Sequence, residues 1–116
     1  MAYRVSIDAR EVSKNLEKLS LNYTKRVSLE TERTATEMEN YAKSNRPWKD
    51  RTGNARRSIY SVGMRQGGVF RIYTGMGVDY AKYLELYNGG KYRIIRPTVN
   101  KYRSIWIRNL KNILEL

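Results

Sequence analysis

The sequence predicts a single α+β domain over residues 1–116, with a long N-terminal helix and a C-terminal helix packed on a small antiparallel sheet. Three patterns carry that expectation. A long stretch without glycine or proline, ending at Pro47, repeats its apolar residues at three- and four-residue steps. Two segments rich in Ile, Tyr, Val and Phe flank a glycine pair, and a second helical stripe follows Pro97. With 116 residues, 41% of them hydrophobic, the chain has the size and composition of one folding unit. No linker, internal repeat or low-complexity stretch divides it.

The elements follow in order. Tyr3, Val5 and Ile7 alternate with Arg4 and Ser6, the two-residue period of a short strand with one buried face. From Asp8 the period lengthens, and Asp8 or Ser13 can cap a helix. Val12, Leu16, Leu19, Tyr23, Val27, Ala35, Met38 and Ala42 then form one stripe, implying a helix of about 35 residues and about 50 Å. Ser20, Ser28, Thr31, Thr34 and Thr36 lower its propensity and allow a break near its middle. Pro47 ends it, because the residue before a proline is driven out of the helical region.

Arg46–Arg57 reads as a loop, with Thr52 or Asn54 starting a short helical turn. Ser58–Arg65 and Val69–Thr74 read as a hairpin turning on Gln66-Gly67-Gly68. Gly75-Met76-Gly77 is read as a break in the second strand, since it lacks the Lys-Ser/Thr and the strand–helix context of a nucleotide loop. Ala81–Tyr87 is a short helix closed by Asn88-Gly89-Gly90, and Tyr92–Arg96 is expected to be extended. Pro97 opens the last helix, which places Val99, Tyr102, Ile105, Trp106, Leu110, Ile113 and Leu114 inward.

Residue inventory excludes whole classes of chemistry. Without cysteine or histidine there is no disulfide, thiolate metal site, zinc hydrolase centre or serine–histidine triad. No catalytic, cofactor or metal site is expected. Asp79 and Glu85 lie six residues apart, off any common helical face, so Asp79 is expected to cap a helix and Glu85 to pair with a nearby arginine. No signal peptide opens the chain and no apolar run approaches membrane length, so it is expected to be made and used in a cytoplasm.

Charge is the strongest compositional signal: 23 basic against 11 acidic residues, net +12. Such an excess suits nucleic acid, a membrane surface or an acidic protein face, or it serves solubility alone. Arg46, Lys49, Arg51, Arg56 and Arg57 crowd one loop around Trp48, and Thr52-Gly53-Asn54 supplies its turn. That loop either contacts phosphates or acidic side chains of a partner, or is a solvated surface whose tryptophan plugs the core. Ten tyrosines against one phenylalanine suit surfaces both apolar and wet. Tyr80, Tyr83 and Tyr87 share one face, suited to core or subunit interface before base stacking, and Glu85 stands beside them as an interface candidate. Lys101, Arg103, Arg108 and Lys111 would let the last helix lie on a membrane, although its apolar side is more simply a core contact.

Three blocks carry a family resemblance. Ala42-Lys43, Arg46-Pro47 and Asp50-Arg51-Thr52-Gly53-Asn54-Ala55-Arg56-Arg57-Ser58-Ile59 form the first; Tyr80-Ala81-Lys82-Tyr83-Leu84-Glu85 the second; Ile95-Arg96-Pro97 the third. In order and spacing, across about residues 35–116, they resemble the head–tail connection (neck, tail-completion or tail-component) proteins of long-tailed bacteriophages. The chain departs from that pattern in the longer Trp48-Lys49-Asp50-Arg51 step, in Ala55 where leucine is usual, and in Leu86-Tyr87-Asn88-Gly89 after the second block. The resemblance implies a structural virion protein without catalysis or cofactor. It implies a homo-oligomeric ring, hexamer or dodecamer, in the neck between the DNA-filled head and the tail. Its partners would be other neck, connector and tail proteins, with contact to channel DNA and none to membrane. Assembly would take place in the host cytoplasm. The rival reading is a non-specific nucleic-acid-binding protein, although no helix-turn-helix, RNP or zinc motif is present.

Overall fold

The computed structural model describes residues 2–10, 12 and 21–115. The expected cap Ser13 and the stripe positions Leu16 and Leu19 lie outside the described residues, as does Ser20. The first strand, β1, is Tyr3–Asp8, with Val5 and Ile7 buried and their neighbours exposed, as the alternation requires. Asp8 Oδ1 accepts the Arg10 amide at 3.2 Å, a cap at the strand's exit.

Helix α1 runs unbroken over Leu21–Asn45 and buries Val27, Thr31, Thr34, Ala35, Met38 and Ala42. The expected weak point is overridden because two of the threonines are packed, not solvated. The Thr31 hydroxyl donates to the Val27 carbonyl at 2.8 Å and accepts Trp106 Nε1–H at 3.2 Å, so its polar atom is satisfied inside the core. Thr36 donates to the Glu32 carbonyl at 3.1 Å in the same way.

A four-residue helix α2 (Asn54–Arg57) follows the loop, then β2 (Ile59–Gln66) and β3 (Val69–Met76) form the hairpin. The three strands are antiparallel in the order β1-β3-β2. Strand β3 continues through Gly75 to Met76, which pairs with both Tyr3 and Ile59, so the expected break at Gly75 is corrected to Gly77. Gly75 is a packing requirement: a Cβ there would lie 2.6 Å from the Tyr3 carbonyl and 2.7 Å from the Tyr60 hydroxyl. Phe70, Ile72, Thr74 and Met76 share the buried face with Val5 and Ile7, and both long helices cover it.

Helix α3 is Ala81–Leu86, a short 3-10 turn covers Asn88–Gly90, and α4 spans Ile95–Leu114. The extended segment expected at Tyr92–Arg96 is therefore corrected, since Ile95 and Arg96 already belong to the first turn of α4. The cause is Glu85. Its carboxylate Oε1 accepts the amides of Ile94 and Ile95, both at 2.7 Å, and Oε2 lies 3.5 Å from the Arg96 amide. A carboxylate aimed at orphan amides stabilises a helix start and lets it begin before Pro97. The expected arginine pair of Glu85 is corrected too: Arg93 Nε donates to its main-chain carbonyl at 3.0 Å, while the carboxylate serves the amides. Asp79 does not occupy the cap position of α3, which falls on Tyr80. Helix α4 packs Val99, Trp106, Leu110 and Leu114 inward, so its apolar side is a core contact. No described helix is long and apolar enough to cross a membrane.

Candidate functional site

The basic loop is ordered by its own charges. Arg46 clips it to the last turn of α1: Nε and Nη2 reach the two Asp50 carboxylate oxygens at 2.9 and 3.0 Å, and Nη1 donates to the Lys43 carbonyl at 2.6 Å. This two-point geometry is the strong form of an arginine–carboxylate contact. Arg56 stands 2.9 Å from the same Asp50 through Nε, off line for a hydrogen bond, so that pair is held by charge alone. Arg57 Nη2 donates to the Thr52 carbonyl at 3.0 Å and to Asn54 Oδ1 at 2.6 Å.

The turn beneath these side chains matches its residue types. Gly53 has φ 79°, in the left-handed region that glycine tolerates. Thr52 Oγ1 accepts the Asn54 amide at 3.3 Å, and the Arg57 amide closes on the Gly53 carbonyl at 2.9 Å. Three of the five cations singled out from sequence, Arg46, Arg56 and Arg57, thus hold the loop's shape. Lys49 and Arg51 are exposed and make no ion pair among the described residues.

Helix α3 faces the loop. Its inner side is fixed by Ala81 and Glu85, both 0% exposed, and its outer side presents Tyr80, Tyr83 and Tyr87 at 49%, 52% and 60% exposure. The tyrosines therefore lie on the surface and not in the core. Glu85, grouped with them as an interface candidate, is corrected to a buried structural residue, because its two oxygens are committed to the start of α4. Tyr83 and Tyr87 lean on each other with ring centroids 5.6 Å apart.

Between loop and helix lies an open groove of about 610 Å³. Trp48, Tyr80, Tyr83 and Tyr92 give it an aromatic lining with Leu84 beside them, and Lys49 and Arg51 give it a cationic rim. Trp48 is half-buried, touching the core on one side and the groove on the other. The structure thus brings Trp48, Lys49 and Arg51, the turn Thr52-Gly53-Asn54 and two of the three tyrosines into one concave surface, with Arg46, Arg56, Arg57 and Tyr87 outside its lining. Tyr92 was missed from sequence, since no spacing ties it to α3; the 3-10 turn carries it back. Chemically the groove suits a ligand that offers an apolar group to the rings and negative charge to the rim. Among the described residues no three carboxylates cluster to hold a metal.

No curated protein and no solved structure matches the chain. The family model described as "Bacteriophage HK97-gp10, putative tail-component" matches residues 10–86, about two thirds of the chain. The matched span takes in α1, the basic loop, the hairpin and α3, hence both walls of the groove. It begins earlier than the span of about 35–116 implied by the resemblance, and it ends before Ile95-Arg96-Pro97, leaving that third block and α4 outside. With that match over about two thirds of its length, the chain belongs to the HK97 gp10-like family of bacteriophage tail components.

Proposed function

We propose that this tail component is a non-catalytic ring subunit of the phage neck, joining the connector side of the DNA-filled head to the tail, and that its groove docks a neighbouring neck protein. One observation carries the reading. The two family-like blocks, far apart in sequence, meet on an exposed aromatic and cationic surface instead of in the core. Residues needed only for folding would be buried; these hold a surface in shape and leave Lys49 and Arg51 uncompensated. A channel that DNA must cross quickly should not grip it tightly, which favours protein docking at this groove over DNA binding there.

Ring formation, as a hexamer or dodecamer, is supported by apolar side chains left outside the core. Leu21 is 88% exposed and Leu29 56%, both on the outer side of α1, and Val62 is 41% exposed on β2. A repeated heterologous contact that closes by rotation would cover them. Electron microscopy of the purified protein, alone and with tail tubes, tests the proposal. Rings with a channel wide enough for duplex DNA are expected. A strict monomer by light scattering at high concentration, with tail tubes present, contradicts it.

A further inference from the structure

The groove leaves most of the positive charge unexplained. Residues 1–39 carry seven basic and seven acidic side chains, whereas residues 40–116 carry sixteen and four, so the whole excess of +12 lies after α1 begins its last turns. Of the four acids in that part, Asp50 is clamped by Arg46 and Arg56 and Glu85 is buried. Five of the sixteen cations lie on the solvent side of α4.

Helix α4 has no acidic residue between Ile95 and Leu114. Arg96, Lys101, Arg103, Arg108 and Lys111 are all exposed, and at 100° per residue they fall within one half of the helix circumference. Arg96, Arg103 and Arg108 make no ion pair among the described residues. From Arg96 to Lys111 the row covers about 22 Å of helix, comparable with roughly six base-pair rises. Val99, Trp106 and Leu110, all 0% exposed, fix the opposite side, so the charges ride on a rigid element.

What this face lacks identifies its partner. The remaining exposed positions are Pro97, Asn100, Ser104 and Asn112, and Ile107, the one large apolar residue on this face, is packed against the core, so no exposed large apolar side chain is available to anchor a protein interface. The groove has such anchors and α4 does not. Arginines interspersed with amide and hydroxyl side chains are the groups that contact phosphates and sugars. We propose that the solvent face of α4 contacts duplex DNA through its phosphates, weakly and without sequence preference so that DNA can still slide past, and is the side this subunit turns toward DNA. The proposal reaches past docking at the groove and can fail separately, since it is read on purified protein with DNA, whereas the neck reading is tested by ring formation.

The test is fluorescence anisotropy of full-length protein with a short mixed-sequence duplex, between about 50 and 200 mM salt. Wild type is expected to bind with a steep inverse dependence on salt. R96Q/R103Q/R108Q should reduce the slope of log K against log salt by about 2–3, since each phosphate contact contributes about 0.9. The same variant should bind at least about tenfold more weakly at low salt, with an unchanged circular dichroism melt showing that it folds. K49Q/R51Q should leave the slope unaltered. A slope lost in K49Q/R51Q and retained in the α4 variant would overturn the assignment, as would wild type that does not bind duplex. Competition by poly-glutamate as effective as that by duplex would overturn it too, assigning the face to an acidic protein.

Discussion

Replacing Glu85 with alanine strips the start of α4 of its acceptor. The amides of Ile94 and Ile95 both point at one carboxylate oxygen at 2.7 Å, and both residues are buried, at 5% and 0% exposure, so water cannot substitute. Each orphaned amide costs about 1–3 kcal/mol, giving about 2–6 kcal/mol for the pair, while the 3.5 Å contact to the exposed Arg96 adds little. For a chain of this length roughly 3–5 °C of melting temperature accompanies each kcal/mol, so a drop of about 6–30 °C is expected. Glu85→Gln keeps one oxygen able to accept both amides and turns its NH2 toward Arg96, so it should lose only about 0.5–1.5 kcal/mol. Urea titrations followed by tryptophan fluorescence, alongside calorimetry, measure both. A loss below about 1 kcal/mol for alanine, or equal losses for the two variants, would refute the idea that this carboxylate builds the helix start.

Other outcomes follow from the same contacts. Gly53→Val forces a β-branched residue to φ 79° and should cost about 1–3 kcal/mol in urea titrations, and the 2.8 Å approach of its Cβ to Arg57 Nη1 also disturbs the guanidinium that ties Thr52 to Asn54. Thr31→Val preserves shape but orphans the buried Trp106 Nε1–H, so a loss of about 1–3 kcal/mol is expected by calorimetry, and an unchanged midpoint would show that the 3.2 Å bond contributes nothing. Glu30 is held below the usual carboxylate range, chiefly by its hydrogen bond to Arg33, against an opposing effect of burial and with help from Asn109 of α4. Its contribution to stability is therefore fully present above its unfolded value of about 4.3 and is lost as pH falls through the lower folded value. Glu30→Gln should flatten that part of the stability–pH profile, and a wild-type profile with the same slope as the variant would count against the linkage.

The periodicities were legible wherever one side of an element is buried and the other wet. The alternation at Tyr3–Ile7, the stripe of Val27, Ala35, Met38 and Ala42, and the inward row Val99, Trp106 and Leu110 all landed on the core. What failed had its cause in contacts distant along the chain. Thr31 and Thr34 read as helix-weakening until Trp106, 75 residues away, supplied a donor for Thr31. Gly75 read as a break because local pattern cannot reveal that Tyr3 and Tyr60 crowd it from neighbouring strands. Glu85 read as a surface acid because nothing in Tyr-Leu-Glu-Leu announces amides nine and ten residues on. The loop was legible as a cluster of charge but not in its division of labour: one aspartate between two arginines turns most of the cluster inward on itself. The imbalance between residues 1–39 and 40–116 was readable from the sequence and was obscured by treating +12 as one number.

That division of labour sharpens the most direct test of the docking surface. Reversing Arg56 or Arg57 would disturb the loop itself, so the informative variant is Lys49→Glu with Arg51→Glu, which alters only the exposed rim of the groove. Exposed charges contribute about 0–1 kcal/mol to folding, so the melting temperature should shift little. Acidic side chains now facing an acidic partner would cost several kcal/mol at the contact. Electron microscopy of lysates from cells infected with phage carrying the double reversal is the measurement. The expected result is DNA-filled heads and separate tails beside a folded, soluble protein. Normal joined, infectious particles from the same variant would contradict the account, leaving the groove a solvated surface and not a site of docking.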